Sequence, residues 1–153
     1  MTEDQQLTPA LEAAARRRRE LREALVDFED ALASPWGDIE GWRREVTEHF
    51  EALRQAFAVH VAETEHPGGL YDEMAQLAPH VAARAKRLRA DHPRIIEALA
   101  EGAARLQGPL ASEADVDAVR DDLERIMFRI VRHRQGGADL VWEAYAVDIG
   151  AAG

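Results

Sequence analysis

Residues 39–65 read IEGWRREVTEHFEALRQAFAVHVAETE, and this stretch decides the fold class. Its large apolar side chains recur at alternating spacings of three and four residues, which is the period of one face of an α-helix. The stripe consists of Ile39, Trp42, Val46, Leu53 and Phe57. We therefore predict a long amphipathic helix that buries this face.

The same period extends to either side of this stretch. It predicts a first helix over residues 8–33, which ends before residues 35–38, with Asp38 as the N-cap of the second helix. The second helix runs towards Met74, and the Pro-Gly-Gly sequence at residues 67–69 is expected to kink or split it.

Two more helices follow. The third begins at Pro79, a proline suited to a first turn, and reaches Leu106 with a bend at Pro93. The fourth follows residues 108–109, is capped by Ser112 and continues to about residue 145, with a weak point at residues 136–137. Short connections between long helices predict an all-α, antiparallel up-down-up-down four-helix bundle.

Composition narrows the possible classes of protein. We expect one domain over residues 8–150 and a disordered N-terminus over residues 1–7. The formal net charge of −10 argues against nucleic acid as a partner, and the absence of cysteine excludes thiolate metal sites. Residues 1–7 do not resemble a secretory signal and no apolar run approaches about 20 residues, so we expect a cytoplasmic protein without a membrane partner.

Histidines fall on the apolar stripes of three predicted helices. Extending each stripe places His49 and His60 on the second helix, His92 on the third and His133 on the fourth. Buried polar groups need partners, and the cores of helix bundles hold metals through side chains on facing helices. Imidazoles at His60, His92 and His133 therefore suggest a metal site, although each residue taken alone is also compatible with a hydrogen-bonded core histidine.

The distance of each histidine from the connecting loops tests whether the three can meet. His60 and His92 lie within a turn of the same level, whereas His133 is offset by roughly two turns, at about 1.5 Å per residue. His49 is a competing candidate, but it lies about 16 Å from His60 along the helix and cannot share one metal with it.

These residues resemble the hemerythrin-like, or HHE cation-binding, family. Residues 60–71, HVAETEHPGGLY, look like its second-helix motif with the extension of some bacterial members. Residues 88–92 and residues 133–150 are similar to its third and fourth helices. The resemblance implies a hemerythrin-like bundle whose metal ligands are His60, Glu65, His92 and His133.

The resemblance also implies which ligands are missing. Arg18 stands where the family has its first-helix histidine, and Thr64 and Gly137 stand where it has two carboxylates. Bridging two cations needs carboxylates, so a mononuclear site, with iron as a possible cofactor, is favoured over a di-iron centre, and no metal at all is the alternative. Arg18 either points inward and pairs with Glu63 or Glu65, or curls outward and leaves the pocket open.

Two functions remain open from the sequence. The first is a non-enzymatic metal-binding protein that senses oxygen, nitric oxide, redox state or iron. The second is a metal-free bundle that acts as a structural or interaction module through an unknown protein partner or self-association. An oxidoreductase or peroxidase ranks third, because no acid–base pair is visible beyond the candidate site.

Overall fold

The computed structural model of the protein describes residues 8–35 and 37–151, and of residues 147–151 it describes the backbone only. The disordered terminus predicted for residues 1–7 lies outside the described residues. All regular structure in the described part of the chain is helical. The five helices are α1 (Pro9–Ala33), α2 (Ile39–Glu65), α3 (Leu70–Leu77), α4 (Pro79–Gln107) and α5 (Glu113–Ala151).

Local signals in the sequence set the helix starts. The Thr8 hydroxyl accepts the Leu11 amide at 3.1 Å and so caps α1, and an Asp38 carboxylate oxygen accepts the Glu40 amide at 3.2 Å at the start of α2. The Ser112 hydroxyl accepts the amide of Asp115 at 3.2 Å before α5. These contacts satisfy amides that have no partner inside the helix, and they confirm the predicted caps at Asp38 and Ser112.

The second predicted helix is split rather than kinked. Pro67 follows the last turn of α2, and Gly68 adopts a φ of +77°, a left-handed conformation that favours glycine. A Cβ atom at Gly69 would lie 2.7 Å from the carbonyl oxygen of His66, so the chain turns too tightly there for a side chain. α3 is therefore a separate short helix, so the described residues form four long helices and one short one.

The glycine pair predicted as a weak point in the last helix does not interrupt it. α5 continues through Gly136 and Gly137 to Ala151. Pro93 likewise lies inside α4 without ending it.

Two clusters of buried apolar residues occupy the interior. The larger contains Phe28, Phe50 and Phe57. The smaller contains Tyr71 and Met74 of α3. Each cluster draws residues from more than two helices, so the helices pack as a bundle around them.

A helix that crosses a bilayer needs about 20 predominantly apolar residues. None of the described helices combines enough length and enough apolar character to do so.

Candidate metal centre

Three histidines converge in the interior between the two apolar clusters. His60 of α2, His92 of α4 and His133 of α5 are all buried, and one ligand atom of each lies within 4.8 Å of the others. The Nε2 atoms of His60 and His133 are 3.2 Å apart, and those of His92 and His133 are 3.1 Å apart. The offset of two turns expected for His133 is therefore wrong. Arg84 pairs with Glu143 and Arg105 with Asp122, so residues 92 and 133 lie at about the same level.

Phe57 explains how the rings are held together. Its side chain is fully buried and its ring centroid lies 5.6, 5.8 and 5.9 Å from those of His60, His92 and His133. On the other side, the Tyr71 ring stacks on His92 at a centroid distance of 5.8 Å. Phe57 thus packs against all three imidazoles and Tyr71 against that of His92, which limits the rotation of the rings.

Carboxylates fix the orientation of two of the rings. A Glu65 oxygen lies 3.0 Å from Nδ1 of His92, and an Asp91 oxygen lies 3.4 Å from Nδ1 of His133. An ionised carboxylate only accepts, so both Nδ1 atoms carry the proton and donate it. The Nε2 atoms of His92 and His133 then present lone pairs to each other.

The histidine cluster has more close contacts between nitrogen atoms than it has protons to form hydrogen bonds. His60 can donate through Nε2 to His133, and the Tyr71 hydroxyl can donate to Nε2 of His92 across 3.3 Å. In the tautomers that the two carboxylates favour, the 3.1 Å contact between the Nε2 atoms of His92 and His133 has no proton to share. A bound cation would remove this repulsion, since it accepts both lone pairs.

A proton could replace the cation only if one of these histidines became charged, and the surroundings oppose this. Burial, aided by the neighbouring imidazoles and Arg18, lowers the pKa of His60 to about 3. Burial also lowers the pKa of His92 to about 4 and that of His133, in the latter case against the opposing effect of Asp91. All three are neutral near pH 7, which is the form that binds metals.

The separations of the nitrogen atoms suit a single metal ion. At metal–nitrogen bonds of about 2.0–2.1 Å, neighbouring ligands lie about 2.9 Å apart at 90° and about 3.3 Å apart in a tetrahedron. The separations of 3.1 and 3.2 Å from His133 to His92 and to His60 fall between these values, and the ligand atoms of His60 and His92 lie within 4.8 Å of each other. His60, His92 and His133 could therefore hold one ion and leave at least one coordination position for another ligand.

Other residues predicted for the site lie elsewhere. Glu65 contacts the outer nitrogen of His92 and is not one of the three converging ligands. His49 is only half-buried, and its neighbour Phe50 takes the core position. Asp139, the carboxylate nearest to Gly137 in sequence, is exposed and accepts from Gln135.

Arg18 follows neither predicted alternative in full. It is partly buried and lines a cavity of about 20 Å³ together with His60, Thr64, Tyr71 and His133. Among the described residues, Arg18 forms no salt bridge with Glu63 or Glu65. The charged group that affects the pKa of Arg18 is another arginine, Arg134. The side chain thus lies inward without a carboxylate partner.

Asp91 and Tyr71 are site residues that the sequence did not single out as functional. Asp91 had a signal, because a carboxylate directly before His92 suggests a second polar group near the same level. Tyr71 had no comparable signal, since its position depends on how α3 folds back against α4.

Comparison with known proteins adds nothing to this assignment: no family model, no curated protein and no solved structure matches the chain. The resemblance to the hemerythrin-like family therefore stays a prediction based on the sequence motifs.

Proposed function

We propose that the protein binds one divalent transition-metal ion through His60, His92 and His133 and acts as a non-enzymatic, metal-responsive protein. The observation that carries the proposal is the convergence of three buried imidazoles, with Nε2 atoms 3.1 and 3.2 Å apart, at a point where a cation could bind all three. Three neutral nitrogen ligands suit zinc or ferrous iron. No carboxylate is among the converging ligands, so the site holds a single ion and not a bridged pair.

Thermal unfolding with and without metal tests this function. At a free metal concentration 100 times the dissociation constant, binding contributes about 2.7 kcal/mol, which raises the melting temperature of a chain of this size by about 5–10 °C. The measurement uses untagged protein treated with a chelator, followed by Zn²⁺, or Fe²⁺ under anaerobic conditions. His92→Gln is expected to abolish the shift. His49→Gln is expected to keep it, because His49 lies outside the histidine triad formed by His60, His92 and His133.

A metal-free structural or interaction module is the second candidate, and Arg18 is the observation that favours it. A guanidinium in the cavity beside His60 disfavours a nearby cation. This function predicts that chelator and added metal leave the melting temperature of the wild type unchanged. Such a result would contradict the metal-binding proposal.

We further propose that the four long helices form the antiparallel up-down-up-down arrangement that the hemerythrin-like resemblance implies. Pairs of contacts between neighbours support opposite directions. Between α4 and α5, Arg84 pairs with Glu143 and Arg105 pairs with Asp122, so the later residue of one helix meets the earlier residue of the other. Between α2 and α4, Arg43 donates to the Leu106 carbonyl while His60 lies beside His92.

Chemical cross-linking tests the direction of α4 against α5. The chain has no cysteine of its own, so each introduced pair is the only reactive one. A short bismaleimide should link Arg84→Cys to Glu143→Cys, and Arg105→Cys to Asp122→Cys. The crossed pair Arg84→Cys with Asp122→Cys should stay unlinked, because residues 84 and 105 are about 30 Å apart along a helix. Linkage of the crossed pair alone would mean parallel helices.

A further inference from the structure

The cavity beside the histidine triad contains a group of charges that the metal site does not use. Arg18 of α1 and Arg134 of α5 both line it, together with His60 and His133. The residues that line it in the described part of the chain include no aspartate or glutamate. Glu65 and Asp91 instead contact the outer nitrogens of His92 and His133. The positive charges therefore meet no negative charge inside the cavity.

Both arginines show the cost of this arrangement. Burial, followed by repulsion from Arg134, lowers the pKa of Arg18. The Nε atom of Arg134 is buried and has no hydrogen-bond partner among the described residues. A buried donor of this kind is costly unless something accepts from it.

Tyr71 adds a neutral donor to the same cavity. Its hydroxyl lies 3.3 Å from Nε2 of His92, and a tyrosine hydroxyl keeps its proton near pH 7. Metal coordination would use the His92 lone pair that accepts this proton. The Tyr71 hydroxyl could then donate to Thr64 or to an anion in the cavity.

We propose that this cavity is a binding site for a small anion, held by Arg18, Arg134 and the Tyr71 hydroxyl, and that the anion and the metal ion bind synergistically. The synergy rests on the proposed metal site. A metal ion at the triad and two guanidiniums repel one another, and an anion between them offsets all three charges. Each ligand therefore raises the affinity for the other by the same factor.

The volume of the cavity defines the class of anion. About 20 Å³ exceeds the roughly 10–15 Å³ that holds one water molecule, but it does not leave space for a tetrahedral oxyanion. We expect anions of at most about three heavy atoms, such as formate, and we expect sulfate to be excluded.

The affinity of chelator-treated protein for Zn²⁺, measured by calorimetry with and without sodium formate at constant ionic strength, tests the synergy. Formate should tighten Zn²⁺ binding at least tenfold in the wild type, and sulfate should not. Arg18→Gln and Arg134→Gln should lose the formate effect, and Arg18→Gln should bind Zn²⁺ more tightly than the wild type when formate is absent. Arg19→Gln and Arg132→Gln, exposed neighbours on the same helices, should behave as the wild type.

A second measurement separates failure of this inference from failure of the metal site. Formate should raise the melting temperature of the metal-free protein, and Arg18→Gln should remove that shift, whether or not metal binds. Equal Zn²⁺ affinity with and without formate in the wild type would overturn the synergy. Absence of any formate shift in the metal-free protein would overturn the anion site itself.

Discussion

Glu65 and Asp91 act on the metal site at the scale of single residues, through the histidines that they contact. Each accepts from the outer nitrogen of an imidazole, which fixes the tautomer and makes the inner nitrogen a better ligand. The negative charge of both carboxylates also offsets part of the charge of a bound cation.

The variants Glu65→Gln and Asp91→Asn test this role. Each should weaken Zn²⁺ binding by about 10–100-fold, since the amide holds its histidine less firmly and carries no charge. Glu63→Gln and Asp139→Asn are matched controls, because neither side chain contacts the triad in the described structure. Equal losses in the control variants would mean that the effect is one of overall charge and not of orientation.

The buried histidines also predict a pH dependence of stability for the metal-free protein. In the unfolded chain a histidine takes up a proton below about pH 6.5, whereas folded His92 does so only near 4 and His60 near 3. The unfolded state binds more protons between these values, so stability falls as the pH falls from 6.5 towards 4. From pH 7 to pH 5 we expect a loss of about 2 kcal/mol for each of these two histidines.

Urea unfolding of chelator-treated protein at pH 7 and pH 5 measures this loss. His60→Gln should lose less stability than the wild type between the two pH values, and His49→Gln should lose as much. If His60→Gln and the wild type showed the same dependence, the folded histidine would not be held neutral by burial.

The positions of the three histidines on the buried faces could be predicted from the sequence, because the helical period fixes which residues share a face. The error at His49 has a simple cause. A step of three residues from Val46 reaches His49 and a step of four reaches Phe50, and either step continues a helical stripe. The structure buries Phe50, which is the apolar residue of the two. The place of Glu65 on His92 could not be predicted, because it depends on the rotation of two helices relative to each other.

At the scale of the helices, glycine has opposite roles in α4 and α5. Gly102 of α4 faces the core, where an added Cβ would lie 2.8 Å from both Ile126 and Phe50. Gly137 of α5 has no atom within 4 Å of an added Cβ. Gly102 allows the close approach of α2, α4 and α5, whereas Gly137 only lowers helix propensity.

Alanine at each position tests this difference. Gly102→Ala should destabilise the protein by about 1–3 kcal/mol through overpacking, and Gly137→Ala should stabilise it by about 0.5–1 kcal/mol. Urea unfolding of the two variants measures both changes. Stabilisation by Gly102→Ala would show that α4 can move away from the core at little cost.

The sequence predicted most helix boundaries, since caps and prolines act locally. It did not decide between a kink and a split at residues 67–69, because the outcome depends on whether α3 finds a surface to pack against. It also suggested a weak point at residues 136–137. The helix continues there between His133 and Leu140, which are both buried on either side of the pair.

At the scale of the whole molecule, the triad joins parts of the bundle that otherwise have separate cores. Phe57 belongs to the larger apolar cluster and Tyr71 to the smaller one, and both pack on the histidine rings. A metal at the triad would tie α2, α4 and α5 together at the boundary between the clusters. Metal binding should therefore stabilise the bundle as a unit.

Metal content per chain tests the central claim most directly. The measurement is elemental analysis by mass spectrometry of untagged protein, after removal of metal, reloading with Zn²⁺ and desalting. We predict one Zn²⁺ per chain in the wild type and in His49→Gln, and less than one tenth in His92→Gln. A wild type that retains no more Zn²⁺ than His92→Gln would contradict the claim that His60, His92 and His133 form a metal site.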